Sequence, residues 1–535
     1  MANITTRVWF SDGTTYPWPE QQAGVSPNVG VCFPGGGTRA LSAAMGQLRA
    51  MINQNIIQSV DYISCVSGGS WAAAAFAYYN TGATSDQDFL GPITDPGDIS
   101  EAGLNVLSSD CVGYGATQSL DKALWTAYHT DKVDGDLLWI TAVGAVFFDR
   151  YGLNDSSYYS FDAATVQAIQ TANPSLANAT FHTVRQPSGY TMPYLLINAT
   201  IDGPTNPGDY VTDPLVMVTY TPLYNGIPLQ QVVTYSQKSS GPITPSTPAT
   251  VGGGFIEPFA WGSSAPATTG ASGGTVSAGE APAVFRLIDA SGTSSSAFAE
   301  TAAKNMLLDV DLPEQPYWPP MSSGAQIPAQ SFDFGDGGNL ENYGLIPLLM
   351  RGVKKVILFV NTDSPLSLSY VPSTNGASSA DLDPNLPVLF GVPVTSGGNA
   401  AADNNQVFPS SDFVTLISKL QALKTNGQAM IVPMTHEVLA NQWWGVTSGS
   451  VEILWVYLDQ VTAWSSQITD TWVTQQLQDG SSGAFPNFPN YKTVDEDGTA
   501  TLTQLTAPQV NLLADLTCWV VTENVSAFTN FVSGG

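Results

Sequence analysis

The stretch Cys65-Val66-Ser67-Gly68-Gly69-Ser70-Trp71 constrains this chain most. A short apolar run, Val60 to Ile63, precedes it, and a helix-forming run, Ala72 to Tyr79, follows. A serine on a tight glycine turn between strand and helix is a nucleophile elbow. The turn lifts the hydroxyl above the sheet. The helix start sets backbone N–H groups and the positive end of its dipole beside it. Gly68 leaves room for the turn and for an approaching carbonyl, which a side chain would obstruct. Ser-Gly-Gly-Ser by itself also suits an ordinary turn, so the reading depends on two further stretches.

The first lies upstream. Val29, Val31 and Phe33 alternate as in a short buried strand, which runs into Pro34-Gly35-Gly36-Gly37-Thr38-Arg39-Ala40. A helix is expected next, with Leu41, Ala44, Met45, Leu48, Met51 and Ile52 on one face. Strand, triple glycine and helix form a cradle of backbone N–H groups, fit for a phosphate or an oxyanion. The Lys-Ser/Thr ending of a nucleotide P-loop is missing, as is the spacing of a dinucleotide fingerprint. The second stretch is Phe332-Asp333-Phe334-Gly335-Asp336-Gly337-Gly338-Asn339-Leu340. Asp-Gly-Gly is a common turn. A short aspartate on a glycine turn can also approach a serine closely enough to serve as its base.

Charge and composition narrow the partners. The chain has 535 residues, with 16 basic against 44 acidic ones and a formal net charge of −28. Phosphate backbones are bound by clustered Lys and Arg, so nucleic acid is excluded as a partner. Docking to an anionic membrane by charge alone is excluded for the same reason. Met1 to Glu20 lack a basic segment followed by an apolar run, so no signal peptide is expected. The longest apolar stretch, Leu137 to Phe148, is 12 residues long, too short to span a bilayer. The expectation is a cytoplasmic protein, or one exported by a non-classical route. Cys32, Cys65, Cys111 and Cys518 have no metal-ligand spacing, and no cofactor or metal is expected.

Along the chain, residues 1–25 read as an irregular N-terminal arm, 26–470 as one catalytic domain with cap insertions, and 471–535 as a C-terminal helical extension. Leu120 to Tyr151 has helical patterning, and its Leu137–Phe148 segment suits a buried core helix or a cap over an acyl-chain site. Tyr190 to Ile201, Leu215 to Tyr220 and Val353 to Val360 read as strands. Ser239 to Pro282 reads as a long surface loop, interrupted by the aromatic island Phe255 to Trp261, which could instead anchor it on the body near the site. Helices are expected over Ala297 to Leu307, Asp412 to Leu423, Val451 to Asp470 and within Pro508 to Val532.

In family order, these motifs resemble the catalytic domain of cytosolic phospholipase A2 and fungal phospholipase B (lysophospholipase), in the patatin-like acyl hydrolase superfamily. The markers are Gly35-Gly36-Gly37-Thr38-Arg39-Ala40, Ser67-Gly68 with Trp71, and Thr219-Tyr220-Thr221-Pro222 with Gly226. Downstream follow Gly292-Thr293-Ser294-Ser295 with Phe298, then Asp336-Gly337-Gly338 with Asn342 and Pro347-Leu348. The resemblance implies an α/β fold, a central mixed sheet flanked by helices with cap and loop insertions. It implies a Ser-Asp dyad of Ser67 and Asp336 and an oxyanion hole from Gly36 and Gly37. Arg39 would hold lipid phosphate or support the intermediate, and Gly35, Gly68 and Gly337 would support the turns. The implied activity is a serine esterase cleaving acyl esters of phospholipids or lysophospholipids through an acyl-enzyme, with peripheral contact to lipid aggregates. One departure is Cys65, where the family has glycine two residues before the serine. An esterase or acyltransferase on neutral lipids remains open, as does a catalytically silent binding protein of the same fold. His436, one of three histidines, could in principle complete a Ser-His-Asp triad.

Overall fold

A computed structural model describes the chain apart from residues 1–2, 12–15, 206–209, 212–213, 235, 239–243, 246–247, 269, 298, 300–309, 323–325, 399, 493–503 and 535. Its centre is a mixed 13-stranded sheet. The strands are β1 (Asn3–Phe10), β2 (Val29–Phe33), β3 (Tyr62–Val66), β4 (Tyr194–Pro204) and β5 (Val216–Tyr220). They continue as β6 (Asn225–Ile227), β7 (Gly254–Ile256), β8 (Thr275–Gly279), β9 (Glu314–Tyr317) and β10 (Gln330–Asp336). The last are β11 (Lys355–Val360), β12 (Met430–Val438) and β13 (Gly449–Tyr457).

The middle of the sheet is parallel, in the order β13-β11-β2-β3-β4. On the β4 side it continues antiparallel through β5, β6, β7, β1 and β8. On the other side β12 closes it, antiparallel to β13. Parallel strands covered on both faces read as continuous apolar runs, because successive side chains go to opposite sides. β11 shows this. Ile357 and Phe359 enter one core, and Val356, Leu358 and Val360 the other.

Helices α1 (Gly37–Asn53) and α2 (Gly68–Tyr78) follow β2 and β3 directly. Both loops therefore open at the C-terminal ends of adjacent parallel strands, where α/β sheets place their sites. The apolar segment within Leu120–Tyr151 forms α3 (Gly135–Val143), prolonged through Gly144–Phe148. It packs on α2, with Phe147 stacked on Trp71 at 4.1 Å between ring centres. Helix α4 (Leu287–Thr293) lies against α3, where Gly292 leaves room for Ile140. Helix α5 (Ser410–Thr425) covers β12, as the Asp412 to Leu423 pattern predicts.

The segment 471–535 contains α6 (Thr471–Gln478), α7 (Ala507–Glu523) and α8 (Val525–Ser533). α7 packs closely along α1. Thr517 Oγ1 donates to the Ala43 carbonyl at 3.1 Å, Arg49 pairs with Asp515 at 3.0 Å, and a Cβ on Gly46 would overlap the Ala514 carbonyl.

Three expectations are corrected. The N-terminal residues are no irregular arm, since β1 sits inside the sheet between β7 and β8. Ile4, Thr6 and Val8 are buried, and Glu257 accepts from the Arg7 N–H at 2.7 Å. The alternation is present, but its partners lie some 250 residues away, so no hairpin signal accompanies it. The Ser239–Pro282 stretch is likewise no surface loop where it is described. It supplies β7 and β8, and Phe255, Phe259 and Trp261 are buried. Finally, Val451 to Tyr457 is strand β13 rather than helix. A short unbroken apolar run fits a buried strand and a helix equally by periodicity, and here pairing on both sides decides. The expected Ala297–Leu307 helix falls outside the described residues beyond Ala299.

Candidate active site

β4 has one edge shared by two strands. β3 runs parallel along it from Tyr62 beside Tyr194 to Val66 beside Asn198. β10 runs antiparallel along the same edge from Phe332 beside Pro204 to Asp336 beside Ala199. The two strands thus arrive head-on at neighbouring rungs. Ser67 leaves the end of one and Asp336 ends the other. Ser67 Oγ donates to Asp336 Oδ2 at 3.0 Å.

Ser67 has φ +49° and ψ −126°, a region that non-glycine residues rarely occupy. Such conformations cost about 1–3 kcal/mol and persist when neighbours hold them. Here the Ser67 N–H donates to both the carbonyl and Oγ of Ser294, at 3.1 and 3.0 Å. Ser294 Oγ in turn donates to the Asn198 carbonyl at 2.6 Å. The elbow therefore forms with Cys65 in place of glycine. Cys65 is buried in β3, with Sγ 3.2 Å from the Leu196 carbonyl.

The triple-glycine loop lies directly over the elbow. A Cβ on Gly68 would overlap the Gly37 carbonyl and sit 2.6 Å from the Gly37 nitrogen. Gly35 donates its N–H to the Asn342 carbonyl at 3.0 Å, and a Cβ there would come within 3.0 Å of Ser67 Cβ. Gly36 takes φ +132° and caps α1. The N–H groups of Gly36 and Gly37 belong to the start of a helix, which has no carbonyls of its own to offer them.

Asp336 is buried, 2% exposed. Its Oδ1 accepts from the Gly338 N–H at 2.7 Å, and Oδ2 accepts from Ser67 Oγ and from the Ala297 N–H at 3.3 Å. Burial raises its pKa to about 7, with those hydrogen bonds pulling the other way. Gly337 is tightly placed too, since a Cβ would overlap the Asn198 carbonyl.

Arg39 reaches the glycine loop from beneath. It is buried, with Nε donating to the Asn361 carbonyl at 2.9 Å and Nη1 to the Tyr491 carbonyl at 2.7 Å. A Cβ on Gly36 would collide with Arg39 Nη2, so the guanidinium underlies the loop. His436 lies apart from this assembly. It sits on β12, three strands beyond β2. Its Nδ1 is 2.8 Å from Asp412 Oδ2, and Nε2 accepts from the Trp455 indole N–H at 3.0 Å. An indole N–H only donates, so the imidazole proton is on Nδ1, toward Asp412.

Ser67, Asp336, Gly35, Gly36, Gly37, Gly68 and Gly337 thus converge on one point. Ser294, Asn342 and Asn198 complete it without having been assigned roles from sequence. Ser294 and Asn342 stand inside recognisable motifs, but motif membership does not say which group a residue holds. Among the described residues, no three His, Cys, Asp or Glu side chains cluster as metal ligands.

An α/β protein with a serine elbow beside a buried aspartate is what fold and site define. No protein-family model matches the chain. It is similar to lysophospholipase 2 of Candida glabrata, 32% identical over 111 residues, 19% of this chain and 15% of that protein. A lysophospholipase of Kluyveromyces lactis is 28% identical over 141 residues, 23% of this chain and 21% of that protein. The chain thus matches about a fifth or less of the length of these curated relatives. Among solved structures, human GIVD cytosolic phospholipase A2 aligns over 95% of this chain and 62% of its own, at 12% identity and a TM-score of 0.46.

Proposed function

We propose that the protein is a serine acyl hydrolase that cleaves acyl esters of phospholipids or lysophospholipids through a Ser67–Asp336 dyad. The observation that carries this reading is the 3.0 Å bond from Ser67 Oγ to Asp336 Oδ2, at an elbow whose backbone is held in a strained form. Local similarity to yeast lysophospholipases supports the substrate class. In the first step Ser67 Oγ attacks the ester carbonyl carbon and its proton passes to the Asp336 carboxylate. The carbonyl oxygen becomes an oxyanion, facing the Gly36 and Gly37 N–H groups. Collapse breaks the ester C–O bond, and the protonated Asp336 returns its proton to the leaving alcohol. Water then repeats the sequence on the acyl-serine, activated by the same carboxylate.

A neutral-lipid ester is a second reading, favoured by one observation. Arg39 is buried and bound to two carbonyls, so it suits support of the glycine loop better than capture of a phosphate. The intact serine–aspartate contact argues against a silent scaffold. Labelling with a fluorophosphonate tests the nucleophile. The modification is expected on Ser67 alone, and an unlabelled, folded protein would refute the enzyme reading. Incubation with mixed lipids, followed by mass spectrometry, separates the substrates. Release of lysophospholipid or glycerophosphodiester supports the first reading, and glyceride products alone support the second.

A further inference from the structure

β3 and β10 meet head-on along one edge of β4, each paired to β4 rather than to the other. The backbone that leaves each strand at this junction, at Ser67 and at Gly337, therefore takes its hydrogen-bond acceptor from outside the sheet. Ser294 supplies it. It caps the C-terminal end of α4, where helix carbonyls lack partners within the helix. Its one carbonyl accepts from the Ser67 N–H at 3.1 Å and from the Gly337 N–H at 3.4 Å. Its hydroxyl accepts from the same Ser67 N–H at 3.0 Å and donates to the Asn198 carbonyl at 2.6 Å.

Asn198 pairs with Val66, and the next residue, Ala199, pairs with Asp336. The Ser294 hydroxyl thus ties the elbow to β4 where nucleophile and base come together. Three residues further on, the Ala297 N–H donates to Asp336 Oδ2 at 3.3 Å, the same oxygen that accepts from Ser67 Oγ. One short segment accordingly touches the backbone of the serine, the backbone of the aspartate turn and the carboxylate itself. Ser67 holds a backbone conformation that persists only when neighbours fix it, and Ser294 provides both acceptors of its N–H.

We propose that Ser294 is a positioning residue, which clasps the elbow to the Asp336 turn and so sets the separation of Ser67 Oγ and Asp336 Oδ2. Ser294 is fully buried, so it acts through Ser67 and not on substrate. This role rests on the Ser67–Asp336 reaction of the proposed function. Without the hydroxyl, the Ser67 N–H keeps the carbonyl alone, and the elbow loses its tie to Asn198. A reacting group misplaced by about 1 Å can cost about 10²-fold in rate. Substrate contacts outside the pair are untouched, so the loss falls on kcat and not on KM.

Steady-state hydrolysis of a soluble short-chain ester by the full-length parent, Ser294→Ala and Ser296→Ala tests it, with fluorophosphonate labelling of each. Ser296 is as buried as Ser294, but its hydroxyl donates to the Thr293 carbonyl instead, so Ser296→Ala deletes the same atom away from the clasp. Ser294→Ala is expected to lower kcat by roughly tenfold to a hundredfold, with KM within about twofold. Ser296→Ala should keep kcat within about twofold of the parent. Thermal melts identify folded variants. Should Ser294→Ala not fold, Ser294→Cys takes its place, since a thiol is close in size and a weak donor and acceptor, and the same loss is expected. A kcat within about twofold of the parent overturns the proposal, as does an equal loss in Ser296→Ala or a loss confined to KM. A parent that neither hydrolyses the ester nor takes the label on Ser67 overturns the serine–aspartate reading itself, and the clasp with it.

Discussion

An unassisted serine hydroxyl is a weak nucleophile, so on the proposed mechanism Ser67 is expected to depend on the carboxylate it touches. Ser67→Ala and Asp336→Asn are each expected to lower kcat/KM on a lysophospholipid or a soluble ester by roughly 10³-fold or more. The double variant should lose little further, because the pair acts as a unit. Additive losses in the double variant would show that the two residues act separately. As the proposed base, Asp336 is expected to set the pH dependence too. Burial raises its carboxyl to about 7, and only the ionised form can take the serine proton. The acid limb of kcat/KM should therefore fall about tenfold per pH unit below an apparent pKa near 7. A limb centred near 4 would mean that the carboxyl titrates as an ordinary one. His436, held between Asp412 and Trp455 on another strand, has no part in that profile.

At the level of elements, the site is a contact between two loops at adjacent strand ends. The β3–α2 elbow and the β2–α1 glycine loop touch through Gly68 and Gly37. A methyl group at Gly68 overlaps the Gly37 carbonyl, and backbone cannot move aside as a flexible side chain could. Gly68→Ala is expected to cut turnover by roughly 10²-fold or more, the scale of losing an oxyanion donor. The sheet should remain folded. Activity within twofold of the parent, with an unchanged circular dichroism spectrum, would show that Gly37 is not part of the site. The α3 segment, buried as the core-helix reading expects, is fastened to the same elbow by its far side. Trp71 stacks on Phe147 and donates to Ser295 Oγ at 3.0 Å. The elbow is thereby locked from both the α3 segment and the Ser294 segment.

For the whole molecule, buried carboxyls couple stability to pH. Asp333, Asp336 and Glu341 are raised to about 7 and Asp515 to about 6, in each case chiefly by burial. A raised carboxyl binds its proton more tightly in the folded than in the unfolded chain, so unfolding releases protons at intermediate pH. Its contribution is full below the ordinary carboxylate range and is lost as pH rises through 6 to 7. Tm should fall steadily between pH 5 and pH 8, and a flat or rising Tm there would contradict the assignment. Activity and stability thus move in opposite directions over the same window. On the proposed function the protein, carrying a net charge of −28, meets lipid aggregates. Trp125 and Leu137 are exposed, 52% and 39%, before and at the start of α3, so adsorption is expected through apolar contact. Salt screens repulsion, so binding to anionic vesicles should strengthen as ionic strength rises. Binding that weakens with salt would point to a basic docking face instead.

The sequence by itself determined the local parts. Ser67 on a glycine turn, the triple glycine before α1 and Asp336 on its own turn were legible because backbone conformation at such turns depends on a few adjacent residues. Alternation in β2 and apolar-rich runs in β3, β4 and β11 likewise announced the central strands. Sequence was weak wherever the deciding partner was distant. β1 pairs with strands some 250 residues away, and β13 looked helical until flanked by β11 and β12. Only the tertiary structure decided that β3 and β10 share one edge of β4 and meet at Asn198 and Ala199. That register brings two residues 269 positions apart to 3.0 Å. It also brings Ser294 under the elbow and sends His436 to the far edge of the sheet. The physical reason is that register is fixed by ladder hydrogen bonds and by which face of each strand is buried. Both are properties of the assembled sheet.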